Sequence, residues 1–349
     1  MSDVIVEVKN LYKRFPVGKG GVLPFLGTKK VVHAVEDVDL KLYEGDFLGL
    51  IGESGSGKTT LANCIVGLLE PTNGSILLEG NEVVRSVMQD SYKSQVSRFI
   101  DQRVVARRVQ MVFQDPTSAL NPRIQVGKAL REALKVHEWG ISEEIDERVQ
   151  ELFELVGIPI NYAHRYPHEL NAAQRQRVVI ARALALEPDV LLADEPISHL
   201  DVSGQAQIMN LLLELQDQLK LSTVFIAHDM SAVRQVASRV AVMYLGQLME
   251  VTDAQTFFTN PSHPYSHALV ASVPRFKTKE SDEISIIEGE IPSPIDFPKG
   301  CPFLSRCPEG EPEICGKEQP PLLPLDEEEE HLVACYMRYE LGKRDVTDV

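Results

Sequence analysis

Residues 52–59 read Gly52-Glu53-Ser54-Gly55-Ser56-Gly57-Lys58-Thr59, a complete G-x-x-x-x-G-K-[ST] pattern. Its chemistry is the holding of phosphate. Gly55 and Gly57 let backbone N–H groups close around phosphate oxygens, Lys58 reaches the outer phosphates, and Thr59 can hold Mg²⁺. A second set of chemical residues follows from strand ends. The apolar run Val190–Ala193 stops at Asp194-Glu195. There, Asp194 can hold Mg²⁺ through its water shell, and Glu195 can orient or polarise the water that attacks a γ-phosphate. Gln114 ends another apolar run and can offer its amide oxygen to the same ion or its water. His228 follows Val224–Ala227 and can hydrogen-bond the γ-phosphate. Phe15 is the candidate to stack on a base through its aromatic face, with Tyr12 as the runner-up; either could be core.

These residues need strands that deliver them to one edge. Phe47–Ile51 precedes the phosphate loop and the helix-like stretch Thr60–Gly67 follows it, the strand–loop–helix context the motif requires. Val190–Ala193 and Val224–Ala227 are short continuous apolar runs, as expected of strands buried on both faces of a parallel sheet. Ser203–Leu219 reads as the crossover helix between them. Val4–Val8, Gly74–Glu79 and Val31–Leu42 read as further strands. In the last, Val38, Leu40 and Leu42 alternate with Asp39 and Lys41, a half-buried antiparallel pattern. Pro16–Lys30 is rich in glycine and lysine and reads as a loop carrying Val22, Leu23, Phe25 and Leu26. From Gln125 to Gly157 apolar residues recur at three- and four-residue steps, a helical insertion between two strands of an α/β core. Asn171–Glu187 is a further helix, stopped by Pro188.

Bulk properties exclude several classes. Hydrophobic content of 44% and charged content of 25% in 349 residues suit a soluble globular chain. The net charge of −16 argues against a broad nucleic-acid surface. No run of eighteen apolar residues suggests a membrane span, and Met1–Glu7 lacks the regions of a signal peptide, so a cytoplasmic protein with reduced cysteines is expected. After about residue 260 prolines become frequent and periodicity fades. Asp326–Glu330 reads as a solvated acidic run. Cys301, Cys307, Cys315 and Cys335, spaced C-x5-C-x7-C-x19-C, could enclose a metal and fold a module too small for its own core. Iron–sulfur, zinc and no metal all stay open on spacing. Cys64, in the helix after the phosphate loop, reads as core.

In their order the motifs resemble the ATP-binding cassette family over about residues 4–258. Phe113-Gln114-Asp115-Pro116 is similar to its Q-loop, His168–Arg177 occupies the signature position, Ser198-His199-Leu200-Asp201 is similar to its D-loop, and Ile226-Ala227-His228-Asp229 to its switch-histidine loop. The resemblance implies an α/β P-loop NTPase core with an antiparallel β subdomain and a helical subdomain at about 115–175, forming an ATPase domain over 1–258. It implies ATP held by Phe15, Gly52–Thr59 and Thr60, Mg²⁺ at Thr59, Gln114 and Asp194, and catalysis by Glu195, His228 and Gln114. The family signature reads Leu-Ser-Gly-Gly-Gln, where this chain has Leu170-Asn171-Ala172-Ala173-Gln174. In the family this segment caps the ATP of the opposite subunit. Two added Cβ atoms are expected to weaken that clasp, so an asymmetric ATPase heterodimer is expected, whose partner carries an intact signature. A regulatory subunit that never hydrolyses is the alternative.

The wording of Phe113–Arg123, the insertion after Phe15, and Asn260-Pro261-Ser262-His263-Pro264-Tyr265-Ser266 resemble ATPase subunits of oligopeptide and dipeptide importers, whose relatives carry peptides, nickel complexes or oligosaccharides. This implies two membrane permeases, an external solute-binding protein, no nucleic acid, and a place on the cytoplasmic face of the membrane. It implies that 259–349 is the C-terminal region of that family, a small cysteine-rich module with a [4Fe–4S] cluster on Cys301, Cys307, Cys315 and Cys335.

Overall fold

The computed structural model describes residues 3–17, 30–89, 94–99, 102–272, 289–325 and 330–339. In chain order the strands are β1 (Val4–Val17), β2 (Lys30–Tyr43), β3 (Phe47–Ile51), β4 (Asn73–Leu78), β5 (Asn81–Gln89), β6 (Ser94–Phe99), β7 (Val109–Val112), β8 (Val190–Asp194), β9 (Ser222–Ala227), β10 (Arg239–Tyr244), β11 (Gln247–Asp253), β12 (Leu323–Pro324) and β13 (Leu332–Val333). The α-helices are α1 (Lys58–Ile65), α2 (Gln102–Arg108), α3 (Pro116–Ala119), α4 (Val126–Val136), α5 (Ser142–Leu155), α6 (Ala172–Ala183), α7 (Val202–Leu219), α8 (Met230–Val236), α9 (Ala254–Thr259), α10 (Pro264–Ala271) and α11 (Pro312–Cys315).

Two sheets organise them. The first is antiparallel, in the order β2-β1-β4-β5-β6; the second runs β12-β13-β11-β10-β3-β9-β8-β7. Within the second, β10, β3, β9, β8 and β7 are parallel to one another, and the pairs beyond β10 are antiparallel. Every residue of β3, β8 and β9 is buried, as their unbroken apolar runs require when a sheet is covered on both sides. On one face lie the antiparallel sheet and α1, where Leu48, Leu50, Leu61, Val38 and Leu40 share a core. On the other lie the helices, with Phe47, Phe225, Leu130, Phe153 and Leu212 in a second core.

The expected alternation in β2 is observed: Val38, Leu40 and Leu42 are buried while Asp39 and Lys41 are exposed. The first strand is longer than expected and runs to Val17, carried past the polar stretch after Val8 by register shifts against β2. Pro16, Val17 and Lys30, expected in a loop, therefore pair as strand (Pro16 with Val31, Val17 with Lys30). Val22, Leu23, Phe25 and Leu26, and most of the acidic run after Leu325, lie outside the described residues. The helical insertion is present as α3 to α5. The amphipathic stripes of α4 and α5 bury Leu130, Leu134, Ile145, Val149 and Leu152 against α6. Among the described residues no helix is long and apolar enough to cross a membrane.

The end of the chain does not stand apart from the sheet. β13 pairs with β11, bringing residues 330–339 onto the edge of the larger sheet. Its anchor is Glu250 on β11, fully buried, which accepts the backbone N–H groups of Ser262 and His263 and pairs with His331 at 2.8 Å. Burial pushes this carboxyl up, but those hydrogen bonds outweigh it and hold it below the usual carboxylate range. The Asn260–Ser266 wording thus has a local reason: it presents two N–H donors to a buried carboxylate, and His263 then caps α10 by accepting the N–H of Tyr265.

Candidate functional site

The parallel order β3-β9-β8-β7 places four strand ends side by side, and the sequence-predicted residues follow those ends. The phosphate loop leaves β3, His228 follows β9, Asp194 ends β8 with Glu195 next, and Gln114 lies two residues beyond β7. This is the edge at which open α/β sheets hold ligands.

Gly57 caps α1 in the left-handed conformation with φ 104°, and a Cβ there would stand 2.2 Å from the carbonyl oxygen of Ala34. Only glycine fits both constraints. Lys58 is buried and donates to the carbonyls of Gly52 (2.8 Å) and Glu53 (2.9 Å) and to Ser56 Oγ (3.3 Å). Burial pulls its ammonium below the usual lysine range, opposed by the carboxylates of Glu195, Asp194 and Glu53. The side chain thus lies folded onto its own loop, a cation facing the cradle that phosphate oxygens would enter. Ser54 and Gly55 are exposed at the tip, Ser56 is buried, and Thr60 is half-buried in the first turn of α1.

Thr59 Oγ1 donates to Asp194 Oδ1 at 3.2 Å. A hydroxyl and a carboxylate at this separation are the donor set of a Mg²⁺ site shared between loop and strand. Asp194 is buried, which raises its carboxyl pKa; the Thr59 hydrogen bond acts in the opposite direction. Glu195 adopts a left-handed backbone with φ 45°, and its N–H donates to the carbonyl of Ile226 on β9. Gln114 Nε2 donates to Glu195 Oε2 at 3.0 Å, and His228 Nδ1 lies 3.3 Å from the same oxygen. Gln114 and His228 are both exposed, so one carboxylate oxygen gathers the polar ends of three strand-end loops at an open face. Such a group can position a water and accept its proton.

The two candidate base-stacking residues are engaged differently. Tyr12 belongs to a groove of about 590 Å³ with Arg14, His33 and Phe297, and the Arg14 guanidinium stands over its ring at 5.2 Å. Phe15 is half-buried with the Lys13 ammonium 4.9 Å from its ring centroid. In the signature segment, Asn171 Oδ1 accepts the Gln174 N–H (2.8 Å) and Gln174 Oε1 accepts the Asn171 N–H (3.1 Å), a reciprocal capping box that opens α6. Ala172 and Ala173 form its first turn. Asp201 caps α7 by accepting the Gly204 N–H at 2.7 Å.

The structure does not support the expected metal centre among the cysteines. Cys301, Cys307, Cys315 and Cys335 do line one cavity, beside His263 and Phe303, but its volume is about 10 Å³, room for one water molecule at most. Among the described residues no group of three or more His, Cys, Asp or Glu side chains is disposed to hold a metal ion. Burial pushes the Cys301 thiol up to about 12 and also raises Cys307 and Cys335. A [4Fe–4S] cluster is not supported by this arrangement. Cys64 is buried in the core, as expected.

Two contacts to the phosphate loop were not legible. The Glu53 N–H donates to Tyr265 Oη at 2.9 Å, and the Glu53 carboxylate pairs with Arg306 at 2.6 Å. Both partners lie more than 200 residues along the chain, and no local pattern announces them. The capping box, by contrast, could have been found from the Asn-x-x-Gln spacing.

Comparison with known proteins agrees with this geometry. Residues 35–198 match the family described as "ABC transporter", and residues 249–315 match "Oligopeptide/dipeptide transporter, C-terminal region". The chain is 46% identical to a putative peptide import ATP-binding protein of Brucella abortus (strain 2308), over 96% of this chain and 95% of that protein. It is 42% identical to the oligopeptide transport ATP-binding protein AppF of Bacillus subtilis (strain 168), over 96% and 98%, and 42% identical to OppF of Escherichia coli (strain K12), over 91% and 92%. Among solved structures it resembles a dimeric, post-hydrolysis state of the ATP-binding cassette MJ0796 bound to ADP and Pi (TM-score 0.59, 27% identity, 72% of this chain and 99% of that one). It also resembles cbiO1 of Clostridium perfringens (TM-score 0.59, 26% identity, 74% and 92%). With residues 52–59, the Asp194-Glu195 pair and His228 at one sheet edge, the chain belongs to the ATP-hydrolysing subunits of the ABC transporter family.

Proposed function

We propose that this chain is the ATPase subunit of a membrane importer of peptides, working on the cytoplasmic face beneath two permeases fed by an external solute-binding protein. The observation that carries the ATPase reading is the convergence of Lys58, Thr59, Asp194, Glu195, Gln114 and His228 at one strand edge. The peptide reading rests on the relatives' names and on the C-terminal match. In this reading Lys58 leaves the Gly52 and Glu53 carbonyls for the outer phosphates, and Thr59 and Asp194 hold Mg²⁺ with Gln114. Glu195 positions the attacking water, and His228 contacts the γ-phosphate. Mg²⁺ supplies charge neutralisation on the phosphates; the protein supplies placement. Phe15 stacks on the adenine through its aromatic face. The helical insertion and Gln114 pass nucleotide state to the permeases.

We further propose that the ATPase pair is asymmetric. Asn171 Oδ1 is committed to capping α6, and Ala172 and Ala173 carry Cβ atoms where close approach of a phosphate calls for glycine. This chain therefore clasps its partner's ATP poorly, while its own ATP is hydrolysed under the partner's signature. In proteoliposomes carrying the whole transporter, labelled peptide uptake should need ATP and vanish with Lys58→Ala. Glu195→Gln here should cost far more ATPase activity than the equivalent change in the partner; equal losses refute the asymmetry.

A further inference from the structure

A phosphate loop that holds a polyanion is poorly served by a carboxylate, yet its second residue is Glu53. The structure shows how that charge is managed. Arg306, from the turn between Cys301 and Cys307, meets Glu53 with both terminal nitrogens: Nη1 to Oε2 at 2.6 Å and Nη2 to Oε1 at 3.0 Å. Nη1 also donates to Tyr244 Oη at 3.2 Å. The Arg306 side chain is only 5% exposed. Its guanidinium stands 5.7 Å from the Tyr244 ring centroid, and Tyr244 belongs to a set of three packed rings: Tyr244 to Tyr265 at 4.8 Å, Tyr244 to Phe303 at 5.3 Å and Tyr265 to Phe303 at 5.2 Å between centroids. Tyr265 also accepts the Glu53 N–H. Glu53 is thus held at its backbone by α10 and at its carboxylate by the cysteine-bearing segment. Its carbonyl oxygen meanwhile holds Lys58.

We propose that Arg306 is a positioning residue of the nucleotide site, cancelling the Glu53 charge and fixing the first half of the phosphate loop, so that the C-terminal segment sets ATP affinity in cis. The proposal rests on the reading of residues 52–59 as the phosphate site. A bidentate arginine–carboxylate pair is directional, so it fixes position as well as charge. Removing the guanidinium leaves a bare carboxylate beside the incoming phosphates, and like charge at short range weakens binding.

The test is calorimetric titration of the full chain with MgATP, in the parent and five variants. Arg306→Gln should raise Kd about tenfold through the uncompensated charge. Glu53→Gln should lower Kd about threefold, because a cation is then left facing the phosphates. The double variant should return to within about threefold of the parent, a coupling that independent structural damage does not produce. Arg306→Lys keeps the charge without the fork and should recover most of the affinity. In the assembled transporter Arg306→Gln should raise KM and leave kcat unchanged. An Arg306→Gln Kd within threefold of the parent, or a double variant no better than Arg306→Gln, overturns the proposal. Should Arg306→Gln not fold, Glu53→Gln decides: unchanged or weaker binding overturns it. Lys58→Ala separates the two readings. If it leaves binding intact, the loop assignment fails. If it abolishes binding while Arg306→Gln does nothing, only the coupling fails.

Discussion

Exchanging Glu195 for glutamine replaces one carboxylate oxygen by an amide nitrogen and changes little else in the site. The left-handed backbone at φ 45° is equally strained for either residue, and the N–H bond to Ile226 is untouched. If the amide oxygen takes the place of Oε2, Gln114 still donates to it at 3.0 Å and His228 still lies 3.3 Å away. What is lost is a base able to take a proton from the attacking water. Such a group contributes about 10²- to 10⁴-fold to rate, or roughly 2.7–5.4 kcal/mol of barrier. Nucleotide affinity should move the other way, since one negative charge near the phosphates is gone. The assay is steady-state ATPase activity of the assembled transporter with MgATP binding measured in parallel. The expectation is a kcat at least about 100-fold lower with binding no weaker than before. Glu195→Ala removes the same charge together with the oxygen that Gln114 and His228 meet, and should lower kcat at least as far. A kcat reduced less than tenfold, or a loss confined to binding, would refute the assignment of Glu195 as the residue that acts on water.

Phe15→Ala should weaken ATP about three- to tenfold through lost stacking, with Tyr12→Phe near neutral, as measured by nucleotide titration; the reverse ranking would move the base to the Tyr12 groove. Asn171→Ala should lower stability by about 1 kcal/mol through loss of the α6 cap, and Asn171→Ser should restore it, read by denaturant unfolding. Ala172→Gly with Ala173→Gly should raise ATP turnover at the partner's site in the assembled transporter, and no change would show that the alanines are tolerated. His263 is fully buried and its imidazole is held down to about 4 by that burial. Because its folded pKa lies below the unfolded value, the unfolded chain binds the proton more readily and stability is lost as pH falls from about 6.5 toward 4. Glu250 adds a loss at still lower pH, its carboxyl being held below the usual range. His263→Asn keeps an α10 cap and removes the titration, so its melting temperature should fall less steeply over that window.

Much of the site was legible because its chemistry is written in local patterns. Glycine spacing, a lysine and threonine in a fixed frame, and apolar runs ending in Asp194-Glu195, Gln114 and His228 each describe a strand end, and parallel strands share their ends. The alternation in β2 and the helical period of α4 and α5 survived for the same reason: burial of one face is imposed residue by residue. Where a reading depended on how distant side chains sit, it went differently. Four cysteines in one segment suggested a metal; the structure brings all four to one cavity of about 10 Å³ but does not support a metal centre there.

The order of residues alone therefore determined the phosphate loop, the strand-end acids and the class of fold, since each rests on contacts within a few positions or on a repeating period. Only tertiary structure decided that Glu53 is met by Arg306 and Tyr265, that Glu195 gathers Gln114 and His228 on one oxygen, and that Glu250 ties the end of the chain to β11. The physical reason is that a charge pair fixes no spacing along the chain. It needs only that folding bring two groups within about 3 Å of each other, and that is a property of packing.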